Sequence, residues 1–256
     1  MDPLLRSLKE EKCKICEGMG MRVVEDEQGR RYAEPCVCRS YLRGLRAMEK
    51  ANIPIRHESS TFETFTSYPG RSPSIGMAPM LLRRFVDGWS TDHDGTGLLI
   101  TGGIGTGKTH LAVATLRALI TEHNAVGLFY DHRSLLKAIQ NSYNERSSES
   151  EYEVLAPVFQ ADVLVLDELG REKRSDWTGE MVEHILNTRY NDRRTTIITT
   201  NYPNEHSAMV RGDSKSGETL GDRVGERIFS RIQEMCLTVE MNGLDFRKTI
   251  KRAQLS

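Results

Sequence analysis

The sequence lacks any long apolar run: nothing in it approaches the ~18 consecutive hydrophobic residues of a membrane-spanning helix. Its opening, Met-Asp-Pro-Leu-Leu-Arg, lacks the basic-then-apolar order of a secretory signal. Together these absences lead us to expect a cytoplasmic protein with no membrane partner. Net charge is lacking too: 35 lysines and arginines stand against 36 acidic residues, a formal −1. No global basic field advertises nucleic acid, so any DNA contact must come from a local patch. Cysteine is scarce and unevenly placed: four of the five crowd at Cys13, Cys16, Cys36 and Cys38, and Cys236 stands alone. In a reducing compartment such clustering points to metal rather than disulfides. No internal repeat is visible, and the seven histidines show no metal-ligand pairing.

What is present divides into a cysteine-bearing charged segment (1–45), a connector (46–90) and a longer domain (91–256). In the last, short β-rich runs alternate with amphipathic stretches. Strands are expected at Leu98–Thr101, Val126–Tyr130, Val163–Leu166, Thr195–Thr200 and Leu237–Glu240. Helices are expected at Pro79–Trp89, His110–Glu122, Arg133–Tyr143, Trp177–Tyr190 and Asp222–Glu234. Such alternation predicts an α/β fold with a central parallel sheet covered by helices. Two polar stretches, 145–153 and 204–218, read as loops.

One run carries specific chemistry. Gly102, Gly103, Ile104, Gly105, Thr106, Gly107, Lys108 and Thr109 fit G-x-x-x-x-G-K-[ST], with an apolar run before and a helix-prone run, starting at His110, after. The glycines let the backbone curl into an anion-binding nest, and the following helix adds its positive N-terminal end. Lys108 would reach the β- and γ-phosphates and the Thr109 hydroxyl would ligate Mg²⁺. This is the signature of a nucleoside-triphosphate site.

Hydrolysis needs more, and Ala161-Asp-Val-Leu-Val-Leu-Asp-Glu-Leu-Gly supplies it. An apolar strand delivers Asp167 and Glu168 to its C-terminal end, where ligands sit in open α/β sheets. Asp167 suits the outer sphere of Mg²⁺, and Glu168 suits the base that polarises the attacking water. Asn201 ends the next apolar strand; it is either a turn residue before Pro203 or a hydrogen-bond donor to water or phosphate. Arg223, Arg227 and Arg231 are spaced i, i+4, i+8 on one expected helix face. They are either a solvated stripe or contain an arginine finger for ATP bound by a neighbouring subunit. Arg247 follows the last expected strand, a position from which an arginine reaches phosphate in cis.

In this order the pieces resemble the DnaC/DnaI/IstB-like branch of the AAA+ ATPases over nearly the whole chain. The resemblance rests on Thr101–Leu111, Val165–Gly170, Ser175-Asp-Trp, Thr188-Arg-Tyr-Asn, Thr199-Thr-Asn, Arg227–Ile232 and Gly243-Leu-Asp-Phe-Arg. Ile53-Pro and Thr61-Phe-Glu-Thr-Phe add to it. It implies a three-layer P-loop AAA+ domain. Lys108 and Thr109 would then be Walker A, Asp167 and Glu168 Walker B, and Asn201 sensor 1. Arg231 would be the favoured finger, Arg227 its neighbour and Arg247 the sensor-2 position. It also implies ATP and Mg²⁺ as cofactors, self-association into a ring or spiral, and single-stranded DNA as a partner. The branch implies either loading of a DnaB-type replicative helicase or, alternatively, IstB-like selection of target DNA for a transposase. The stretch between Tyr202 and Leu220 is longer and more polar than the family's short connection.

Cys13-x-x-Cys16 and Cys36-x-Cys38 offer the two thiolate pairs that tetrahedral Zn²⁺ needs, and closing such a site would fold a segment too small to fold alone. The alternative is four unrelated thiols. A zinc knuckle resembles the N-terminal modules of loader-type members, which bind the helicase. Cys236 reads as a buried thiol. Arg171-Glu-Lys-Arg174 is either a DNA-facing loop or a solvated helix entry, and Trp177 reads as core. Phe62 and Phe65, at i, i+3, either wedge the connector against the domain near the adenine or are simple packing residues.

Overall fold

The computed structural model describes residues 13–65, 72–90, 94–144, 150–172, 175–204 and 218–246. An antiparallel hairpin, β1 (Met21–Glu25) and β2 (Arg31–Pro35), opens the described chain. Helix α1 (Val37–Lys50) follows, then a single 3₁₀ turn at Ile55–His57 and α2 (Pro73–Gly88). Strands β3 (Gly97–Thr101) and β4 (Gly127–Asp131) flank α3 (Lys108–His123). Next come α4 (His132–Ser142), α5 (Glu151–Gln160), β5 (Val163–Asp167), α6 (Asp176–Asn191) and β6 (Thr195–Thr200). Two short helices, α7 (Leu220–Val224) and α8 (Glu226–Met235), lead into β7 (Cys236–Glu240).

The five later strands form one parallel sheet in the order β4-β5-β6-β3-β7. Strands β3, β5 and β6 are buried on both faces, which is why they read as continuous runs rather than alternating ones. Their side chains part by the strand period of two. Leu99, Leu164, Leu166 and Ile198 face a core built with α4 to α8. Leu98, Ile100, Val163, Val165 and Ile197 face a second core built with α2 and α3, which α1 joins through Ala47 and Met48. The expected three-layer α/β fold is therefore the fold observed.

Three expectations are corrected. The helix expected at Asp222–Glu234 is two helices, because Gly225 takes φ 94° and ψ 145°, a region that only glycine enters freely. Arg223 thus lies on α7, and only Arg227 and Arg231 share α8. The polar stretch 145–153 contains the start of α5, fixed by a capping box between Ser150 and Glu153. Helix α2 begins at Pro73, where its fixed φ suits a first turn, and continues through Pro79. Residues 145–149 and 205–217 of the expected loops, and Arg247, lie outside the described residues.

One internal fastening ties α5 and α6 to β6. Arg189 on α6 is 0% exposed. Its guanidinium donates to Val158 O (2.7 Å), Ala161 O (2.8 Å), Thr195 O (2.5 Å) and Thr196 Oγ1 (3.0 Å). Two of these acceptors lie at the C-terminal end of α5, where carbonyls have no intrahelical partner and a cation suits the dipole. Burial pulls its pKa down to about 9, so it stays charged at neutral pH.

Candidate functional site

The parallel register gathers strand ends at one edge of the sheet: Asp131 lies opposite Asp167, and Thr101 lies between Thr200 and Glu240. The glycine loop leaves β3 at this edge and enters α3. Gly107 caps that helix with φ 98°, and a Cβ there would run into the Phe65 ring, so two independent constraints select glycine. On the loop's other side the Phe246 N–H donates to Gly105 O at 3.1 Å. Ile104 stands exposed at the tip, and Thr106 Oγ1 donates to Gly103 O at 3.0 Å.

Lys108 is buried beneath the loop. Its ammonium donates to Gly102 O (2.8 Å), Gly103 O (2.7 Å) and Asn201 Oδ1 (2.7 Å). The two residues are far apart in sequence, and the β3–β6 pairing brings them into contact. The Thr109 hydroxyl donates to Asp167 Oδ1 at 2.9 Å, with Oδ2 at 3.2 Å. Burial raises the pKa of Asp167; hydrogen bonds from Thr199 and Thr109 work against that, while the charges of Glu168 and Asp131 add to it. A buried carboxylate crowded by two others beside a threonine hydroxyl fits a divalent cation, whose charge would relieve the crowding.

Glu168 follows with φ 57°, a left-handed conformation unusual for a non-glycine residue. Thr199 on β6 secures it. The Glu168 N–H donates to Thr199 Oγ1 at 3.0 Å, and that hydroxyl donates onward to Asp167 Oδ1 at 2.6 Å. The Leu169 N–H donates to Thr199 O at 2.9 Å, and Thr200 Oγ1 donates to Leu169 O at 2.9 Å. The Glu168 carboxylate is ion-paired with Arg171.

The connector docks beside the loop. His110 Nε2 lies 2.8 Å from Thr61 O, and its ring centroid is 5.4 Å from that of Phe65. Phe62 and Phe65 pack on the second core. The three arginines separate by environment. Arg223 is spent on its own chain: Nε donates to Gly170 O at 2.8 Å, and the guanidinium covers the Tyr202 ring at 5.1 Å. Arg227 is 89% exposed with Glu183 at 3.6 Å. Arg231 stacks 4.6 Å from the centre of the Tyr190 ring, whose hydroxyl donates to Glu234 at 2.6 Å. Among the described residues, neither Arg227 nor Arg231 touches the glycine loop of its own chain.

Away from this edge, the Sγ atoms of Cys13, Cys16, Cys36 and Cys38 all lie within 4.8 Å of one another. Cys13 and Cys36 are 3.8 Å apart, and Cys16 and Cys38 are 3.4 Å apart. Zinc–thiolate bonds of about 2.3 Å imply tetrahedral edges of about 3.8 Å, so the donor set fits Zn²⁺. The β1–β2 hairpin and the first turn of α1 bring the two pairs together, with the Cys36 N–H donating to Gly20 O at 2.9 Å. Burial works against ionising Cys16, yet hydrogen bonds from the Gly20 N–H and Cys38 bring its pKa down to about 7. Cys236 is a buried thiol as expected, raised to about 12 by burial. Trp177 is half-buried against the first core.

The sequence reading missed Thr199, Asp131 and His132. Asp131 accepts from the Ser134 N–H at 2.9 Å, capping α4 beside Asp167. His132, 5% exposed, has both ring nitrogens buried without a hydrogen-bond partner. Polar residues at the ends of the two strands that flank β5 were the available signal.

The family described as IstB-like ATP binding protein matches residues 88–253. The replicative helicase loader DnaC of Escherichia coli (strain K12) is 24% identical over 184 residues, covering 72% of this chain and 68% of that protein. An insertion-sequence ATP-binding protein of Sinorhizobium fredii is 28% identical over 165 residues, covering 64% of this chain and 51% of its own length. Among solved structures, a DnaC helicase loader aligns with a TM-score of 0.61 at 34% identity, covering 73% of this chain and 99% of that one. DnaI aligns with a TM-score of 0.58 at 20% identity, covering 74% of this chain and 95% of that one, a likeness of fold. With the glycine loop and the paired carboxylates gathered at one edge of a parallel sheet, the chain belongs to the IstB-like ATP-binding protein family, as a P-loop AAA+ protein of the DnaC/IstB type.

Proposed function

We propose that the protein is an ATP-hydrolysing loader that delivers a DnaB-type replicative helicase onto single-stranded DNA. The observation that carries this reading is the likeness to a solved DnaC helicase loader, which spans 99% of that chain at 34% identity. The cysteine cluster supports it as a docking module for the helicase.

In this reading the loop amides and Lys108 bind the phosphates, and Lys108 exchanges its carbonyl contacts for phosphate oxygens. Mg²⁺, held by Thr109 with Asp167 behind it, would neutralise charge between the terminal phosphates. Glu168 takes a proton from the attacking water, and Asn201 orients that water or the γ-phosphate. Arg231, with Arg227 beside it on α8, reaches the ATP of a neighbouring copy in a ring or spiral, and Arg247 meets phosphate in cis. Zn²⁺ on Cys13, Cys16, Cys36 and Cys38 is structural, because four thiolates leave no open position. ATP binding holds the loaded assembly, and hydrolysis releases the helicase.

The test is affinity capture with Glu168→Gln in ATP and Mg²⁺, a variant expected to bind ATP without turning it over. Recovery of a replicative helicase, lost on deleting residues 1–45, supports the loader. Recovery of a transposase instead assigns the protein to target-DNA selection, the alternative role, consistent with a relative named as an insertion-sequence ATP-binding protein. Unchanged hydrolysis by the variant removes Glu168 as the base.

A further inference from the structure

We propose that the outer face of α1 binds the phosphate backbone of single-stranded DNA. Arg39, Arg43, Arg46 and Lys50 recur at i, i+4, i+7 and i+11 along this helix, and all four are exposed. At about 100° per residue they fall within an arc of about 60°, and at 1.5 Å per residue the row is about 16 Å long. The opposite face is fixed: Gly44 lies against Thr121 of α3, and Ala47 and Met48 pack on the core. The row therefore points away from the domain on a helix that cannot turn it inward.

No carboxylate among the described residues pairs with any of the four. The contact made by Arg39 is with Met21 Sδ at 3.8 Å. The adjacent hairpin behaves differently, with Arg22 paired to Glu34, Arg30 to Asp26 and Arg31 to Glu25. In a chain of net charge −1, four aligned cations with no paired carboxylate among the described residues are a local departure. Like charges at i, i+4 also work against the helix itself, so local stability does not account for the row.

A polyanion does account for it. Three of the four are arginines, whose planar forks pair bidentately with phosphate. The row is straight. A duplex strand, at about 10 nucleotides per turn, curves away by about 35° per step, whereas a single strand can straighten along all four cations. This surface deepens the loader reading, on whose single-stranded DNA it rests, and does not depend on which protein is loaded.

The experiment titrates the full-length protein with a labelled oligothymidylate at a series of salt concentrations. Each phosphate contact contributes about 0.7 to the slope of log affinity against log salt for single strands. The R39Q/R43Q/R46Q/K50Q variant should lose nearly 3 from that slope, with binding at least about 10-fold weaker at low salt. Glutamine keeps helix propensity, so nucleotide binding should be unchanged. If the quadruple variant fails to fold, R43Q/R46Q should lose about 1.4 from the slope. An unchanged slope overturns the proposal. So does tighter binding of duplex removed by the same substitutions, or loss of a protein partner with DNA binding intact, which would make the row a site for an acidic protein surface. Failure to capture a helicase while these slopes hold would sink the loader reading and leave this one standing.

Discussion

Replacing Thr199 by valine keeps the shape of a buried β6 side chain and removes one hydroxyl. That hydroxyl accepts from the Glu168 N–H at 3.0 Å and donates to Asp167 at 2.6 Å. Its loss leaves a backbone donor without its partner and strips a buried carboxylate of one of its two hydroxyl donors. Each such loss costs about 1–3 kcal/mol, so Thr199→Val should destabilise the protein by about 2–6 kcal/mol. The catalytic consequence comes from position. Glu168 sits in a left-handed conformation that costs about 1–3 kcal/mol and persists only while its surroundings enforce it. Released, the turn relaxes and its carboxylate moves, and a displacement of about 1 Å can cost about 100-fold in rate. Burial then raises the pKa of Asp167 with less opposition. The assay is kcat at saturating ATP, with nucleotide affinity and the urea midpoint measured alongside. The expected result is kcat lower by about 10- to 100-fold with affinity changed little, and Thr199→Ser, which restores the hydroxyl, recovering most of it. A kcat within about twofold of the parent, in protein shown to be folded, refutes the argument that Thr199 positions the base.

Arg231→Ala should cut hydrolysis while leaving nucleotide binding by the isolated chain intact; mixing it with Lys108→Ala should restore some turnover, and no restoration at any ratio counts against a finger acting in trans. Cys16→Ser should release Zn²⁺ from a protein holding about one ion per chain; a metal-free, folded N-terminal module would refute the zinc assignment. His132 gives a pH dependence: burial lowers its pKa, although Asp131 and Glu172 pull the other way. The unfolded residue titrates near 6.5, so its neutral, buried state is free of penalty above about pH 6.5 and loses stability as pH falls below that value. His132→Leu should show a shallower decline in urea midpoint from about pH 7 to 5, and an equal decline would exclude His132 as its source.

Much of the domain was legible because its signals were local. The doubly buried β3 and β5 announce themselves as apolar runs, and Thr195–Thr200, all β-branched, falls where it was expected. The glycine loop is legible because its spacing is dictated by phosphate geometry. The break at Gly225 was not, since the apolar period runs through it and only the backbone angle reveals the stop. The hairpin of the cysteine module was hidden for a different reason. Its strands carry charged residues on both sides, and the cysteine cluster rather than apolar periodicity gathers them. Arg189 reads as surface in a helical pattern, because nothing local tells that a sheet end and a helix end will close over it. The link from Lys108 to Asn201, and from Thr199 to Glu168, depends on strand order, which sequence alternation leaves open.

The strand order also bears on how the molecule comes into being on the ribosome. Strand β3 lies between β6 and β7, both made long after it, and the loop it carries is braced by Phe65 on one flank and by Asp245 and Phe246 on the other. During synthesis, therefore, the phosphate loop is among the first parts of the domain to be made and the last to acquire its walls. A nascent chain without β7 and the residues after it has the motif but lacks one of its flanking walls. The loop is walled on both sides only once β7 and Phe246 have closed beside β3.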